Sequence, residues 1–458
     1  MKNFLIASIF VTFYFLTINC NNESTESEKE VSTATNFEFP TDSNVIDGWI
    51  SAGQLDSMAH HTWEVWNMIN QPLDSLQQGG VLREWMTWKS PNQIQSGIQP
   101  SSQKLLDLDK PRQFHAAALA ELDPAFYVTV HYNDPAAQFA GKQDYLSDEV
   151  LQELLVEGRT SIQEFPNSSI AIKPVFYVIS QDDDFGRIPV WKGPPATPGP
   201  YPSNEWNNYV YINLQNTSPS TGMTCDSTST DWESQCSYNL NDFIYYRLTE
   251  EEVKLVEQEG NQNIKAGDYA VLVGMHMTTK EIRRWTWQTF FWAPDPDDPF
   301  FPSSTDIADL RTFITDSAVS HYATTIAYQM IDPVQPYTGG NIDGEPVYAF
   351  NPYLEAPFDF GPDQAIRLPG IVQTSSGIIE NKFGVESNCM SCHALSHYFK
   401  TDTVDNDFYM ADAYVDMEMG KVITSVTDGQ RDSIEVFIGK LKTDFLWSIP
   451  DVANNNQN

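Results

Sequence analysis

Two thiols and an imidazole stand together at Cys389-Met-Ser-Cys392-His393, and no other stretch of the chain points as directly at chemistry. The spacing is that of the CxxCH string by which haem c is attached. Cys389 and Cys392 would form thioethers with the haem, and His393 would bring a ring nitrogen to the iron. On a helical turn, residues three apart face the same way, so both sulfurs can reach one edge of a flat macrocycle. The Cys and His frequencies of this chain predict roughly one such string in a thousand chains of its length and composition. A thioredoxin-like CxxC opens a helix after a strand and has no need of the following His. A zinc site needs further Cys or His at metal spacing, and only His397 is near.

The other three cysteines fit an exported protein. Ten residues separate Cys225 and Cys236 within a Ser/Thr-rich stretch, which suits a disulfide-closed loop in an oxidising compartment. Cys20 ends a short apolar run, Phe4 to Ile18, that follows Lys2 and has the form of a secretory signal. With no small-x-small cleavage site ahead of it, cleavage before Cys20 and lipidation of its sulfur is the expected reading. This resembles a bacterial lipoprotein signal, although Thr17, Ile18 and Asn19 depart from the usual residues. The polar, acidic stretch from Asn21 to Glu30 suits a flexible tether. The expectation is residues 1–19 as signal, 20–46 as tether and a cell-envelope, lipid-anchored location, with a soluble periplasmic protein as the alternative.

With 62 acidic against 26 basic side chains the formal net charge is −36, which excludes nucleic acid as a partner and disfavours anionic lipid surfaces. A basic redox protein is the favoured partner, and attraction to it should weaken with salt. The same acidity is common in soluble secreted proteins.

The elements that must position the CxxCH string are read from periodicity. Strands are expected at 126–132, 170–180, 209–214, 269–277, 285–292 and 324–330. Helices are expected at 54–69, at 148–157 with Ser147 as N-cap and Gly158 as stop, and at 250–258 behind a Thr249/Glu252 capping box. A further helix is expected over 387–399, carrying the motif. On it His397 would lie on the same side of the haem as His393 and be a poor opposite ligand. Met410, Met417 and Met419 are then the distal options, with Met410 the first choice, on a helix over about 406–419.

Other candidates have plainer readings. Trp285 to Trp292 could place one aromatic face in a core and the other against haem or sugar; a sheet core is the plainer reading. Met275-His276-Met277 could join His131 or His321 in a soft copper site, against ordinary strand packing. Asp182 to Asp184 reads as a solvated turn, because the bidentate Glu of a calcium loop is missing.

Asn351-Pro-Tyr-Leu-Glu355, Ser387-Asn-Cys-Met-Ser-Cys-His393 and Asp444-Phe-Leu-Trp-Ser448 resemble elements of bacterial secreted proteins of the cytochrome c family, which have a large amino-terminal region and one carboxy-terminal haem motif. The resemblance covers the last hundred residues. It implies one covalent haem c on Cys389, Cys392 and His393, and no particular substrate.

The expected fold is α+β: a large β-rich domain over 47–373 and a small, mostly α-helical, cytochrome c-like haem domain over 374–458, with a single fused domain as the alternative. The expected function is electron transfer by a monohaem c-type cytochrome. The alternatives are a haem-dependent oxidoreductase whose large domain binds a substrate, and a carbohydrate-binding surface protein with accessory haem.

Overall fold

The fold is built on strands that are buried on both faces. In the computed structural model, residues 37–77, 80–97, 126–196, 200–217, 219–258, 264–341, 344–357, 371–374, 377–380, 388–399, 414–427 and 430–455 are described. Both helices and sheets are present, as an α+β chain requires. The central sheet has seven strands, with Tyr322–Ala327, Thr286–Trp292, Tyr269–Thr279, Ile170–Ile179 and Phe126–Val128 in that spatial order. His131–Tyr132 also pairs with Ile170–Ile179, and Tyr245–Arg247 with Tyr269–Thr279. All of these pairings are antiparallel.

Every residue of Thr286–Trp292 is buried, so neither aromatic face of this strand is open to solvent. Alternation sends its side chains to two different layers. Phe290 meets the helix Leu55–Ile69, where Trp66 stacks on it at 4.1 Å and Trp63 meets it edge-on at 5.7 Å. The two indole N–H groups donate to the carbonyls of Ile307 and Val319, so burial leaves neither unsatisfied. Trp287 points the other way, toward the carboxy-terminal segment. Trp285 is not in the strand; it precedes it at φ 59°.

The expected helices at 148–157 and 250–258 form as Asp148–Val156 and Glu250–Gln258. Thr249 and Glu252 make the reciprocal capping bonds: Glu252 N donates to Thr249 Oγ1 at 3.3 Å and Thr249 N to Glu252 Oε2 at 2.7 Å. Ser147 precedes its helix without a side-chain capping bond.

The carboxy-terminal segment departs from expectation. Its described residues hold more strand than helix: Lys421–Thr427 pairs antiparallel with Gln430–Glu435, Val415–Asp416 adds to the first of these, and the helices are the short Cys389–His393 and Ser448–Asn455. The alternation in Lys-Val-Ile-Thr-Ser-Val-Thr, with Asp428-Gly429 between the two runs, is a hairpin signal that outweighs helix propensity. The helix over 387–399 is reduced to Cys389–His393, and the chain returns as a strand at His397–Tyr398, paired with Leu441–Lys442. The helix over 406–419 is absent from its described end, residues 414–419. There the Asp416 carboxylate accepts from Glu418 N and Met419 N, closing a turn instead.

Among the described residues the packing runs across 373/374, and Phe37–Asn458 is one compact unit. Met390, Leu395, Leu441 and Ile449 share a core with Tyr132, Leu151, Phe165 and Trp285. Of the expected tether, residues 37–46 belong to this unit: Ser43–Ser51 is helical, Ile46 is fully buried and Phe37 and Phe39 pack on the core, while residues 20–36 lie outside the described residues. Cys225 and Cys236 form a disulfide, which holds its loop against the Tyr209–Asn213 strand. Among the described residues no helix is long and apolar enough to cross a membrane.

Candidate functional site

One face of the central sheet carries the CxxCH turn. Gly274, His276 and Thr278 on one strand lie opposite Phe291, Thr289 and Trp287 on the next, and all six point to the same side. Three segments far apart in sequence converge there: Asn351 to Glu355, Asn388 to His393, and Thr443 to Ser448.

The CxxCH turn is set by its N-cap. Asn388 is fully buried; its Oδ1 accepts from Ser391 N at 2.7 Å and its Nδ2 donates to Met330 O at 3.1 Å. One side chain therefore starts the helix and ties it to the bend that follows the strand Tyr322–Ala327. Neither Cys389 nor Cys392 is in a disulfide. The Cys389 thiol donates to Ala349 O at 3.3 Å, and Trp447 Nε1 donates to Cys392 O at 3.4 Å.

His393 has one orientation and one tautomer. Its Nδ1 lies 2.7 Å from Phe445 O, and because a carbonyl can only accept, Nδ1 carries the proton. Nε2 is left with its lone pair and no hydrogen-bond partner among the described residues. The ring leans on Trp287, with centroids 4.3 Å apart and planes at 39°. Burial pushes the imidazole down to about 3, with the Phe445 bond acting against it, and with His276 and Lys173 acting in the same direction as burial. A neutral ring whose second nitrogen is held by a carbonyl is the form in which histidine ligates a metal.

His276 and Glu355 are site residues that sequence reasoning missed in these roles. His276 Nε2 donates to Glu355 Oε1 at 3.0 Å, while Nδ1 lies 3.9 Å from Cys389 Sγ. Glu355 ends the short helix that Asn351 caps, and its Oε2 accepts from Asn351 N at 2.5 Å. Asn351 Nδ2 in turn donates to Thr289 Oγ1 and Phe290 O, each at 3.0 Å. A thiol, an imidazole and a carboxylate in sequence resemble a nucleophile, base and orienting group. Yet burial, with the charge of Glu355 and the proximity of Cys392, raises the Cys389 thiol well above its ordinary range. The resting state is a protonated thiol, poor in thiolate chemistry.

Two thiols outside any disulfide lie on one helical turn, and the adjacent imidazole is protonated at Nδ1; this donor set is of the kind that would hold haem c, through two thioethers and Nε2.

The other candidates scatter. Met410 and Cys20 fall outside the described residues. Met417 is buried in the core and Met419 is exposed, so among the described methionines the first packs as a core residue and the second faces solvent. The reason given against His397 does not hold, because the helix that would align it ends at His393. His397 is instead buried, with Nδ1 donating to Leu395 O at 2.7 Å. His131, His276 and His321 do not gather: His131 bonds Thr129 and Trp88, and His321 stacks on Trp292. Among the described residues no group of three or more His, Cys, Asp or Glu side chains is placed to hold a metal ion. Asp182, Asp183 and Asp184 are exposed, and Lys265 pairs with Asp182 at 2.6 Å.

Nothing in the sequence ties Phe445 to His393, or Glu355 to His276, across intervals of 52 and 79 residues. No protein-family model, curated protein or solved structure matches this chain.

Proposed function

We propose that the chain is a monohaem c-type cytochrome that carries single electrons at the bacterial cell envelope. The observation that carries this reading is the fixed tautomer of His393, with Nε2 left to ligate, directly after two cysteines that form no disulfide. Haem c supplies a one-electron iron couple. Each thiol would add S–H across one vinyl C=C, sulfur to one carbon and hydrogen to the other, so attachment consumes no oxidant. Phe445 O would hold the imidazole in place and increase its basicity as a ligand, while Trp287 packs against one side of the ring.

The chain is matured with a c-type haem assembly system and examined as a pyridine haemochrome. A covalent haem band, lost in Cys389→Ala/Cys392→Ala, is expected; its absence from the unmodified chain ends the proposal. A reduced-minus-oxidised spectrum with carbon monoxide then separates carrier from oxidoreductase, because fast ligand binding signals an open iron. Met410→Ala tests the distal ligand: conversion to a carbon monoxide-binding form is expected. Lipid anchoring at Cys20 is part of the same proposal, and labelled fatty acid incorporation that persists in Cys20→Ala would refute it. The acidic surface supports a basic redox partner, whose docking should weaken as ionic strength rises.

A further inference from the structure

Phe300 and Phe301 are exposed side by side, at 48% and 40%. A lone apolar side chain on a surface needs no explanation, but two neighbouring rings on a fixed turn do. The backbone here is pinned: Phe301 O accepts from Trp191 Nε1 at 2.6 Å, and Phe300 O accepts from Ser303 N at 3.2 Å. Gly193, at φ 91°, packs against Phe300, whose ring a Cβ there would approach to 3.3 Å. Rings presented from a fixed turn lose little freedom when a partner covers them.

The same pair leads inward to the CxxCH turn. Phe301 meets Tyr348 and Phe350, with ring centroids 6.0 and 5.8 Å apart. These two residues flank Ala349, which forms a β-bridge with Asn388 and whose carbonyl accepts from the Cys389 thiol at 3.3 Å. A short run of packed and hydrogen-bonded groups therefore joins this surface to the first cysteine. The loop leading into the pair is acidic, with Asp295, Asp297 and Asp298 all exposed. Among the described residues Asp297 alone of the three pairs with a cation, Arg311 Nη2 at 2.5 Å.

We propose that this turn is the docking face for a basic redox protein, with Phe300 and Phe301 entering an apolar patch on the partner and Asp295 and Asp298 facing Lys or Arg at its rim. The proposal rests on the electron-carrier reading and adds the face at which the partner is met. Charge selects the occupant. A second copy of the chain brings the same net charge of −36 and the same aspartates, and an anionic lipid surface is repelled likewise. An apolar centre this small, with a charged rim, suits the weak and transient encounters that redox partners make.

The test titrates the full mature chain by calorimetry with a mitochondrial cytochrome c, a strongly basic redox protein, as probe. Binding should be saturable at about 20 mM salt and at least about tenfold weaker at about 200 mM. Phe300→Ser/Phe301→Ser alters no charge and should weaken binding at least about tenfold at low salt. Should loss of the Phe301 ring loosen the packing of Tyr348, Phe300→Ser alone decides, and it should still weaken binding severalfold. Oxidation of the reduced chain by the probe should slow in step with binding in these variants, while oxidation by ferricyanide, which needs no docking face, stays unchanged. The proposal is overturned by no saturable binding, by binding that both variants leave intact, or by self-association of the chain that the variants abolish, which would make a second copy the occupant. Calorimetry needs no haem on this chain, so these outcomes judge the docking face alone, whereas a haemochrome without a covalent haem band ends the carrier reading.

Discussion

Phe445 holds His393 through its backbone, not its side chain: the carbonyl accepts from Nδ1 at 2.7 Å. The turn that aims this carbonyl has two successive non-glycine residues at positive φ, Asp444 at 47° and Phe445 at 71°. Such conformations cost roughly 1–3 kcal/mol each and persist only where the surroundings impose them. Here the Asp444 carboxylate accepts from Phe165 N at 2.8 Å and pairs with Lys280 at 2.7 Å.

Both members of that pair are buried, at 3% and 6% side-chain exposure, so removing one leaves the other charged in a poor solvent. Burial pushes the Asp444 carboxyl up, while Lys280 pulls it down. Lys280→Met should cost about 3–5 kcal/mol in urea unfolding, because it leaves Asp444 buried without its cation while Glu164, the other carboxylate on Lys280, repels it. Lys280→Met/Asp444→Asn should recover part of that loss. A double variant no more stable than the single would remove the ion pair from this account.

Acid sensitivity should come in part from His131. It is fully buried, with Nδ1 donating to Trp88 O at 2.8 Å and Nε2 accepting from Thr129 Oγ1 at 2.7 Å. Burial lowers it from 6.5 to about 4, with the Trp88 bond acting against the shift. Between these values the unfolded chain takes up a proton that the native state refuses, so stability falls as pH falls from 6.5 through 4 and is level below. The loss from this group is about 3 kcal/mol. Urea unfolding of His131→Gln between pH 7 and 4 should show a correspondingly shallower decline than the unmodified chain, and parallel curves would refute this assignment.

Gly274 should tolerate no side chain. A Cβ there would come within 2.6 Å of Asn351 Nδ2, the group that fastens the turn carrying Glu355. Gly274→Ala should cost about 1–3 kcal/mol by overpacking and disturb the His276 pairing. Nuclear magnetic resonance of the His276 ring provides the local readout; an unchanged signal would separate Gly274 from the site.

The Cys225–Cys236 disulfide closes a short loop, with the two residues 11 apart in sequence. Chain-entropy arguments give it about 3 kcal/mol of stabilisation. Cys225→Ala/Cys236→Ala should lose about that much in urea unfolding and leave the CxxCH turn unaltered. A change at the CxxCH turn would contradict the separation of the two regions.

Local periodicity made much of this fold legible in sequence. The strands Ile170–Ile179 and Tyr269–Thr279 and the helices Leu55–Ile69 and Glu250–Gln258 lie within two residues of expectation, because alternation and capping are properties of neighbouring residues. The same logic could have exposed the hairpin of Lys421–Thr427 and Gln430–Glu435, whose Asp428-Gly429 signal was outweighed by the expectation of a helical haem domain. Cys389, Cys392 and His393 were legible as a group because their spacing is itself local.

What the tertiary structure decided is how that group is held. Asn388 ends one strand-like bridge and begins the CxxCH turn, Phe445 sets the tautomer of His393, and Glu355 orients His276 beside Cys389. These partners are brought together by the buried central sheet and by a core that runs across the expected domain boundary. Sequence alone carries the residues' chemistry; their pairing across tens to hundreds of positions depends on burial and register, which no local window contains.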